Sequence, residues 1–456
     1  MSLARFGTDG VRGVANEELT AELALALGRA TARVLPAPTF VVGRDTRRSG
    51  PLLQAALSAG LATEGADVVD LGVLPTPGVA AVAEERKAPG AVVSASHNPF
   101  GDNGIKLFSL LGTKLPTEVE AEIERELEAV LVDPDRPPRR PTGYGVGVIV
   151  ADPSAADFYV AHLEATTQGR RLDGLRVVLD CANGAASEIA PRALAELGAW
   201  VTASHNTPDG ANINERCGST DPAQLSLAVV EHQADLGLAF DGDADRVIAV
   251  DHTGAVVDGD ILLALFALDL AERGRLAANT VAVTVMTNLG FRLAMEQRSI
   301  SVRETEVGDR HVLAALDADG LSLGGEQSGH IIFRDLSTTG DGVLTGIALA
   351  DLMLRTGRSL AELSTGLVER VPQRLVNVPI PRPERLAGCT EVWEAVVRAE
   401  AELGHDGRVL LRPSGTEPFV RVMVEARDAA QADAVAAELA GVVEASLGQI
   451  EPQVHT

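Results

Sequence analysis

The stretch LRVVLDCANGAASEIAPRALAELGAWVTAS, residues 175–204, reads as strand, turn, helix and strand in succession. A β-branched run ends in a polar, glycine-containing turn, a longer helical pattern follows, and a second short strand closes the unit. Strand and helix alternating in this way build largely parallel sheets covered by helices. The same order recurs at TFVVGRDTR (39–47) followed by PLLQAALSAGLATEGADVVDLG, and at NTVAVTVMTNLG (279–290) followed by FRLAMEQRSISVRETEVG. The spacing is uneven, but the recurrence points to three related α/β units.

The last stretch departs from this pattern. RLVNVPI (374–380), a helical segment around 391–403, RVLLRPSGTEPFVRVMVEA (408–426) and a final alanine-rich helix form a smaller α+β domain. The expected fold is three α/β domains with mixed, helix-covered sheets at 1–150, 151–254 and 255–368, then the α+β domain at 369–456. Inside the first boundary lies the proline-rich loop DPDRPPRRPTG (133–143). After it, DPSAADFYVAHLEATT (152–167) reads as a linking helix capped by Asp152.

Composition excludes several partners. With 456 residues and a formal net charge of −25, the chain lacks the basic surface that nucleic acids and anionic membranes require. No apolar run approaches the ~18–20 residues of a membrane span; ILLALFALDL (261–270) is too short. The opening MSLARFGTDGVRG offers arginine and glycine where a secretory leader needs an apolar core. Three scattered cysteines (Cys181, Cys217, Cys389) provide neither a disulfide framework nor a cysteine zinc site. A cytoplasmic location is expected.

Chemistry concentrates in a few turns. In LAFDGDADRVIAVD (238–251), Asp241, Asp243 and Asp245 follow an apolar strand. Three carboxylates so close repel one another unless they surround a cation, and an all-oxygen set suits a hard divalent ion. The closing glutamate of an EF-hand is missing, which favours magnesium completed by a substrate phosphate.

Two runs share Ala-Ser-His-Asn: SASHNPFGDNGIK (94–106) and TASHNTPDGANIN (202–214). The first ends in Lys106, one of only three lysines among 39 basic residues, the other 36 being arginines. A lysine kept where arginine is the rule suggests proton transfer, which arginine cannot perform. Ser96 is therefore the functional serine, and Ser204 is read as a turn. In RPSGTEP (412–418), Ser414, Gly415 and Thr416 between Arg412 and Arg421 suit a phosphate. GGEQSGH (324–330) offers Glu326 and Ser328 to sugar hydroxyls, while Arg12 in FGTDGVRG and Arg310 in VGDR sit on glycine turns.

Together these motifs, in this order along nearly the whole chain, resemble the α-D-phosphohexomutases. The resemblance implies a central cleft and a phosphorylated Ser96 whose phosphate oxygen joins Asp241, Asp243 and Asp245 on one Mg2+. It implies Lys106 as general acid/base, with Arg246, Arg12 and His97 beside the reacting groups. Glu326 and Ser328 hold the sugar, and Arg412, Ser414, Gly415, Thr416 and Arg421 hold the non-reacting phosphate. The substrate implied by FGTDGVRG and Gln327 is a hexosamine phosphate, glucosamine 6-phosphate exchanging with glucosamine 1-phosphate through a hexosamine 1,6-bisphosphate that also primes the enzyme. This reaction would feed amino-sugar and cell-wall precursor synthesis. A homodimer is the assembly entertained; neither nucleic acid nor membrane is a partner. Alanine stands at 244, where many members carry glycine, and this asks the backbone there to avoid positive φ. Three other readings stay open: glucose or mannose phosphate as substrate, a non-catalytic sugar-phosphate binder, and a phosphatase using an aspartate of the acidic loop as nucleophile.

Overall fold

The computed structural model describes residues 6–7, 10–136, 139–414 and 418–448. The chain divides into two compact units. One holds the residues up to Thr284 together with Arg303–Thr365; the other holds Val285–Val302 and the residues from Gly366 onward.

The first unit opens with a seven-stranded sheet: β1 (Phe6–Gly7), β2 (Gly10–Val14), β3 (Thr39–Arg44), β4 (Asp67–Val73), β5 (Gly90–Val93), β6 (Asp102–Phe108) and β7 (Ile149–Ala151), in the order β1-β2-β6-β5-β3-β4-β7. β5-β3-β4-β7 run parallel, and β2 and β6 add an antiparallel half. All four residues of β5 are buried, as expected for a central strand covered on both faces. Two covering helices, Ala21–Val34 and Gly50–Thr63, approach closely at glycines. A Cβ on Gly28 or Gly60 would stand 2.2 Å from a carbonyl oxygen of the other helix.

The second sheet contains β8 (Arg176–Asp180), β9 (Trp200–Ser204), β10 (Leu236–Phe240), β11 (Val247–Asp251) and β12 (Val256–Val257), ordered β12-β11-β10-β8-β9. A third has β13 (Thr280–Thr284), β14 (Ser301–Thr305), β15 (Leu323–Gly325) and β16 (Ile331–Phe333), ordered β14-β13-β15-β16. All three strand–turn–helix–strand units expected from the sequence are present, in mixed sheets as expected.

The second unit carries an antiparallel sheet of β17 (Gln373–Pro379), β18 (Arg408–Pro413) and β19 (Phe419–Glu425), ordered β17-β19-β18. Helices Thr390–Leu403 and Ala429–Leu447 cover it, giving the smaller α+β body. Its buried Glu425 accepts from Arg408 Nε (2.8 Å), Asn288 Nδ2 (2.9 Å) and the Leu289 amide (3.1 Å). The helix Leu289–Gln297 thus belongs to this unit although its flanking strands lie in the third sheet.

Two local expectations change. The helix Ala155–Ala165 is entered through Ser154, not Asp152. Asp152 Oδ1 instead accepts the Ser154 amide (2.9 Å) and hydroxyl (2.6 Å), forming an Asx turn from two residues ahead of the cap. Ser204 ends β9 rather than lying in a turn, and its hydroxyl donates to Leu179 O at 2.9 Å. Among the described residues no helix is long and apolar enough to cross a membrane.

Candidate active site

Ser96 leaves β5 with φ = 52°, a left-handed backbone costly for a residue with a Cβ, and its side chain is buried. The neighbours that hold it there are specific. The Ser96 amide donates to Ser94 Oγ (3.0 Å), which donates in turn to Asp45 Oδ2 (2.7 Å). Arg47, fully buried and paired with Asp45 through Nε (2.8 Å), donates to the carbonyls of Ser96 (2.8 Å), Asn98 (2.8 Å), Asp102 (3.0 Å) and Pro99. Asn214 Nδ2 takes the same Ser96 and Asn98 carbonyls at 2.9 and 3.0 Å. The tail of the second Ala-Ser-His-Asn run therefore braces the serine of the first.

The hydroxyl so fixed lies against the acidic loop, with Ser96 Oγ donating to Asp241 Oδ2 at 2.6 Å. The two loops touch because residue 242 has no side chain; a Cβ there would stand 2.5 Å from Ser96 O. Ala244 departs from expectation, with φ = 57°. Its amide donates to Asp241 O (3.0 Å) and its carbonyl accepts from Gly342 N (2.9 Å). The turn's own hydrogen bonds and complete burial hold the left-handed backbone against a cost of about 1–2 kcal/mol.

Carboxylate oxygens of Asp241, Asp243 and Asp245 lie within 4.8 Å of one another, all buried. Asp243 Oδ1 and Asp245 Oδ1 take no hydrogen bond, an arrangement that would be costly without a cation to share. These orphaned oxygens fit a hard divalent ion. Lys106 lies on β6 opposite Val92, not in the Ser96 loop. Its buried ammonium stands 2.9 Å from Asp243 Oδ2 and 3.4 Å from Asp245 Oδ2. Thr76 ties Asp243 further through its amide (2.9 Å) and hydroxyl (2.6 Å).

The electrostatics divide the triad. Burial and the repulsion of Asp245 and Asp243 push Asp241 well above the usual carboxylate range. Burial also works against ionising Asp245, but Lys106, His330 and Arg246 outweigh it and hold that group well below the range. His97 accompanies the serine at 3.4 Å and meets Arg246 at 3.2 Å. Burial and the charges of Arg246 and Arg12 lower it to about 4, so it is neutral at pH 7. Arg12 lies on β2 opposite Gly104, beside the strand of Lys106.

The sugar-loop candidates lie between β15 and β16. Glu326 accepts from Gly308 N (3.2 Å) and Ser328 Oγ (3.4 Å), while His330 Nδ1 faces Asp245 at 3.7 Å. Arg310 is engaged elsewhere, forked onto Glu120 at 2.7 and 2.8 Å.

In the second unit, Arg412 and Arg421 face each other directly across β18 and β19. Arg421 reaches Ser414 Oγ at 3.5 Å. Burial, then the Arg421 charge, lowers the proton affinity of Arg412. Like charges placed opposite destabilise a sheet unless an anion lies between them. Gly415 and Thr416 lie outside the described residues.

Asp45, Arg47, Thr76 and Asn214 were not singled out as site residues by sequence reasoning. Asp45 and Arg47 belong to TFVVGRDTR, where the polar end of a strand repeat held the signal, and Asn214 closes the second serine run.

Domain models of the phosphoglucomutase/phosphomannomutase family match the chain in order: alpha/beta/alpha domain I over residues 4–131, domain II over 157–254, domain III over 258–371 and the C-terminal domain over 375–442. The chain is 54% identical over 452 residues to the phosphoglucosamine mutase of Streptomyces griseus, covering 97% of this chain and 99% of that protein. It is 53% identical over 448 residues to the phosphoglucosamine mutase of Corynebacterium efficiens, covering 96% and 98%. Among solved structures it matches a phosphoglucomutase/phosphomannomutase family protein from Burkholderia thailandensis, with a TM-score of 0.80, 26% identity and 98% of each chain covered.

Proposed function

This chain belongs to the phosphoglucomutase/phosphomannomutase family, and from that membership we propose that it interconverts glucosamine 6-phosphate and glucosamine 1-phosphate. The observation that carries the reading is the Ser96 hydroxyl held 2.6 Å from Asp241 inside a buried triad, with Lys106 against the same triad. The substrate follows from relatives above half identity that carry this activity in their names.

In this reading Ser96 works as a phosphoserine. The free hydroxyl of a hexosamine monophosphate attacks the phosphorus; its O–P bond forms as the Ser96 Oγ–P bond breaks, leaving a 1,6-bisphosphate. Lys106, entering the step as the neutral amine, takes the proton of the attacking hydroxyl and passes it to the Ser96 oxygen released from phosphorus. The bisphosphate presents its other end, and the same exchange in reverse returns a phosphate to Ser96. Phosphoryl transfer needs positioning and charge balance more than covalent help. Arg47 and Asn214 fix the serine loop, Arg246 and Arg12 place positive charge nearby, and neutral His97 keeps a ring nitrogen beside Oγ. Asp241, Asp243, Asp245 and the phosphoserine would hold Mg2+, which when bound supplies neutralisation of the transferred phosphoryl group. Glu326 and Ser328 bind sugar hydroxyls. Arg412, Arg421, Ser414, Gly415 and Thr416 bind the phosphate that is not reacting, whichever end carries it. A reducing cytoplasm and a homodimer complete the reading, the latter open to light scattering.

A coupled assay primed with a hexose 1,6-bisphosphate compares glucosamine, glucose and mannose phosphates. Glucosamine phosphate is expected to lead. Glucose or mannose phosphate turning over tenfold faster would move the substrate assignment within the family, and binding with no turnover would leave only a binding protein. Phosphate label recovered on Asp241 rather than Ser96 would replace the mutase by a phosphatase.

A further inference from the structure

Away from the acidic triad, Asp180, His205 and Cys217 each bring one ligand atom to a common point. A carboxylate oxygen, a ring nitrogen and a thiol sulfur lie within 4.8 Å of one another. Among the described residues this is the one other convergence of three such groups. Asp180 closes β8, His205 follows β9, and Cys217 lies in the segment before the helix Ala223–Glu231. Three separate backbone segments therefore meet at the same end of the second sheet.

The ligand set differs in kind from the triad. Oxygen, imidazole and thiol together are softer than three carboxylates and suit Zn2+, whereas Mg2+ prefers oxygen alone. The spacing suits it too. His205 Nδ1 stands 3.2 Å from Asp180 Oδ1. Two ligands at the usual ~2.0–2.1 Å from a tetrahedral zinc lie about 3.3 Å apart. His205 Nδ1 is nonetheless buried without a hydrogen-bond partner, so the pair is close but not aligned as donor and acceptor. Asp180 and Cys217 are fully buried, and the His205 side chain, 24% exposed, gives the site its opening to solvent.

The surroundings resemble a ligand's supporting shell. Asp180 is oriented by the amides of Ala182 (3.0 Å) and Gly218 (2.9 Å), as metal-binding carboxylates commonly are. The segments carrying the trio also hold Ala182, Asn183, His205, Asn214 and Arg216 at positive φ, between 45° and 58°. Such strain persists only where surrounding interactions over-determine it.

Against the expectation that the scattered cysteines serve no zinc site, we propose that Asp180, His205 and Cys217 form a second, softer divalent-cation site that takes Zn2+ through three protein ligands, with the fourth position left to water. Binding replaces the Cys217 thiol proton, which leaves to solvent. The site also communicates with the catalytic loops by direct contact. Asn183 O accepts Thr46 Oγ1 (2.6 Å), Ala185 N donates to Gly242 O (2.8 Å), Ser219 N donates to Phe240 O (2.8 Å), and Asn214 holds Ser96 O. An ion joining the three segments stiffens the frame on which the serine and acidic loops rest.

The experiment uses the full chain, stripped of metal and titrated with Co2+ in excess Mg2+. Expected at one equivalent are the near-ultraviolet band of a thiolate–cobalt bond and the intense visible bands of four-coordinate cobalt, both erased by Zn2+. Cys217→Ser should lose the thiolate band, and His205→Ala should weaken Zn2+ binding by at least ~10-fold. Asp243→Asn, which thins the hard triad, should leave the band in place. No thiolate band, a band that survives Cys217→Ser, or one lost in Asp243→Asn would each overturn the proposal and leave Asp180 a brace for two amides. Should Cys217→Ser fail to fold, the partly exposed His205 decides: Zn2+ must raise Tm in the parent and not in His205→Ala. Because every readout is binding or stability, failure here would leave the mutase reading untouched.

Discussion

Lys106 Nζ and Asp243 Oδ2 stand 2.9 Å apart, with both side chains buried. The strand, not the serine loop, sets this pairing, since Lys106 lies in register with Val92 of β5. An arginine at 106 would keep the charge and lose the transferable proton. Lys106→Arg is expected to lower kcat at least ~100-fold with little change in KM. Activity within a few-fold of the parent enzyme would remove the proton-transfer role and leave the rest of the site standing.

The twin serines should separate cleanly. Ser96→Ala removes the proposed phosphate carrier, so turnover should vanish, together with the added phosphate mass of the intact protein. Ser204→Ala removes one bond to Leu179 O, worth about 1 kcal/mol, and should leave kcat unchanged. Retained phosphate in Ser96→Ala would show that another residue carries it.

Arg47 is expected to matter as much as residues nearer the substrate. Its guanidinium is the shared donor to four carbonyls of residues 96–102. Arg47→Met leaves Asp45 buried without its ion-pair partner and should destabilise the fold by about 3–5 kcal/mol in urea titration. A loss under about 1 kcal/mol would show that Asn214 and Ser94 hold the loop without it.

Arg412 and Arg421 stand directly opposite each other across β18 and β19, two like charges that suit an anion between them. Arg421→Met should therefore raise KM about 10–100-fold, the equivalent of one charge-assisted hydrogen bond, while kcat falls less. Inorganic phosphate should raise the melting temperature of the parent more than that of the variant. Equal shifts would place the anion elsewhere.

His97 sets a pH dependence whose sign can be worked out. Its ordinary value is 6.5 and burial with its cationic neighbours lowers it to about 4 in the fold. Between these values the unfolded chain binds a proton that the folded chain refuses, so stability falls as pH drops through that window. His97→Asn should flatten the denaturation midpoint between pH 6.5 and 4. An unchanged slope would assign the acid sensitivity to other groups.

Much of this was legible in residues. The β-branched runs before glycine turns located β3, β8 and β13, and the DGDAD spacing placed three carboxylates on one loop. What escaped was cooperation between distant segments. Nothing local in GRDTR says that Arg47 will reach the carbonyls of residues 96–102, because that contact depends on the parallel pairing of β3 with β5. The conformation of Ala244 escaped for a similar reason. Intrinsic preference argued against positive φ, but Gly342, donating from another domain's helix, stabilises the turn against that preference.

The second compact unit is assembled from two pieces of chain, and this bears on the order in which the protein can be made. Val285–Val302 leaves the ribosome more than a hundred residues before Glu425, the buried carboxylate on which Asn288 and Leu289 rest. During synthesis the side-chain amide of Asn288 and the backbone amide of Leu289 have no carboxylate yet to donate to. The same segment would be stranded in any fragment ending near residue 365, while an isolated C-terminal piece would carry Glu425 with neither amide. A nascent chain must therefore carry the start of this helix without its capping carboxylate until its last strand is translated.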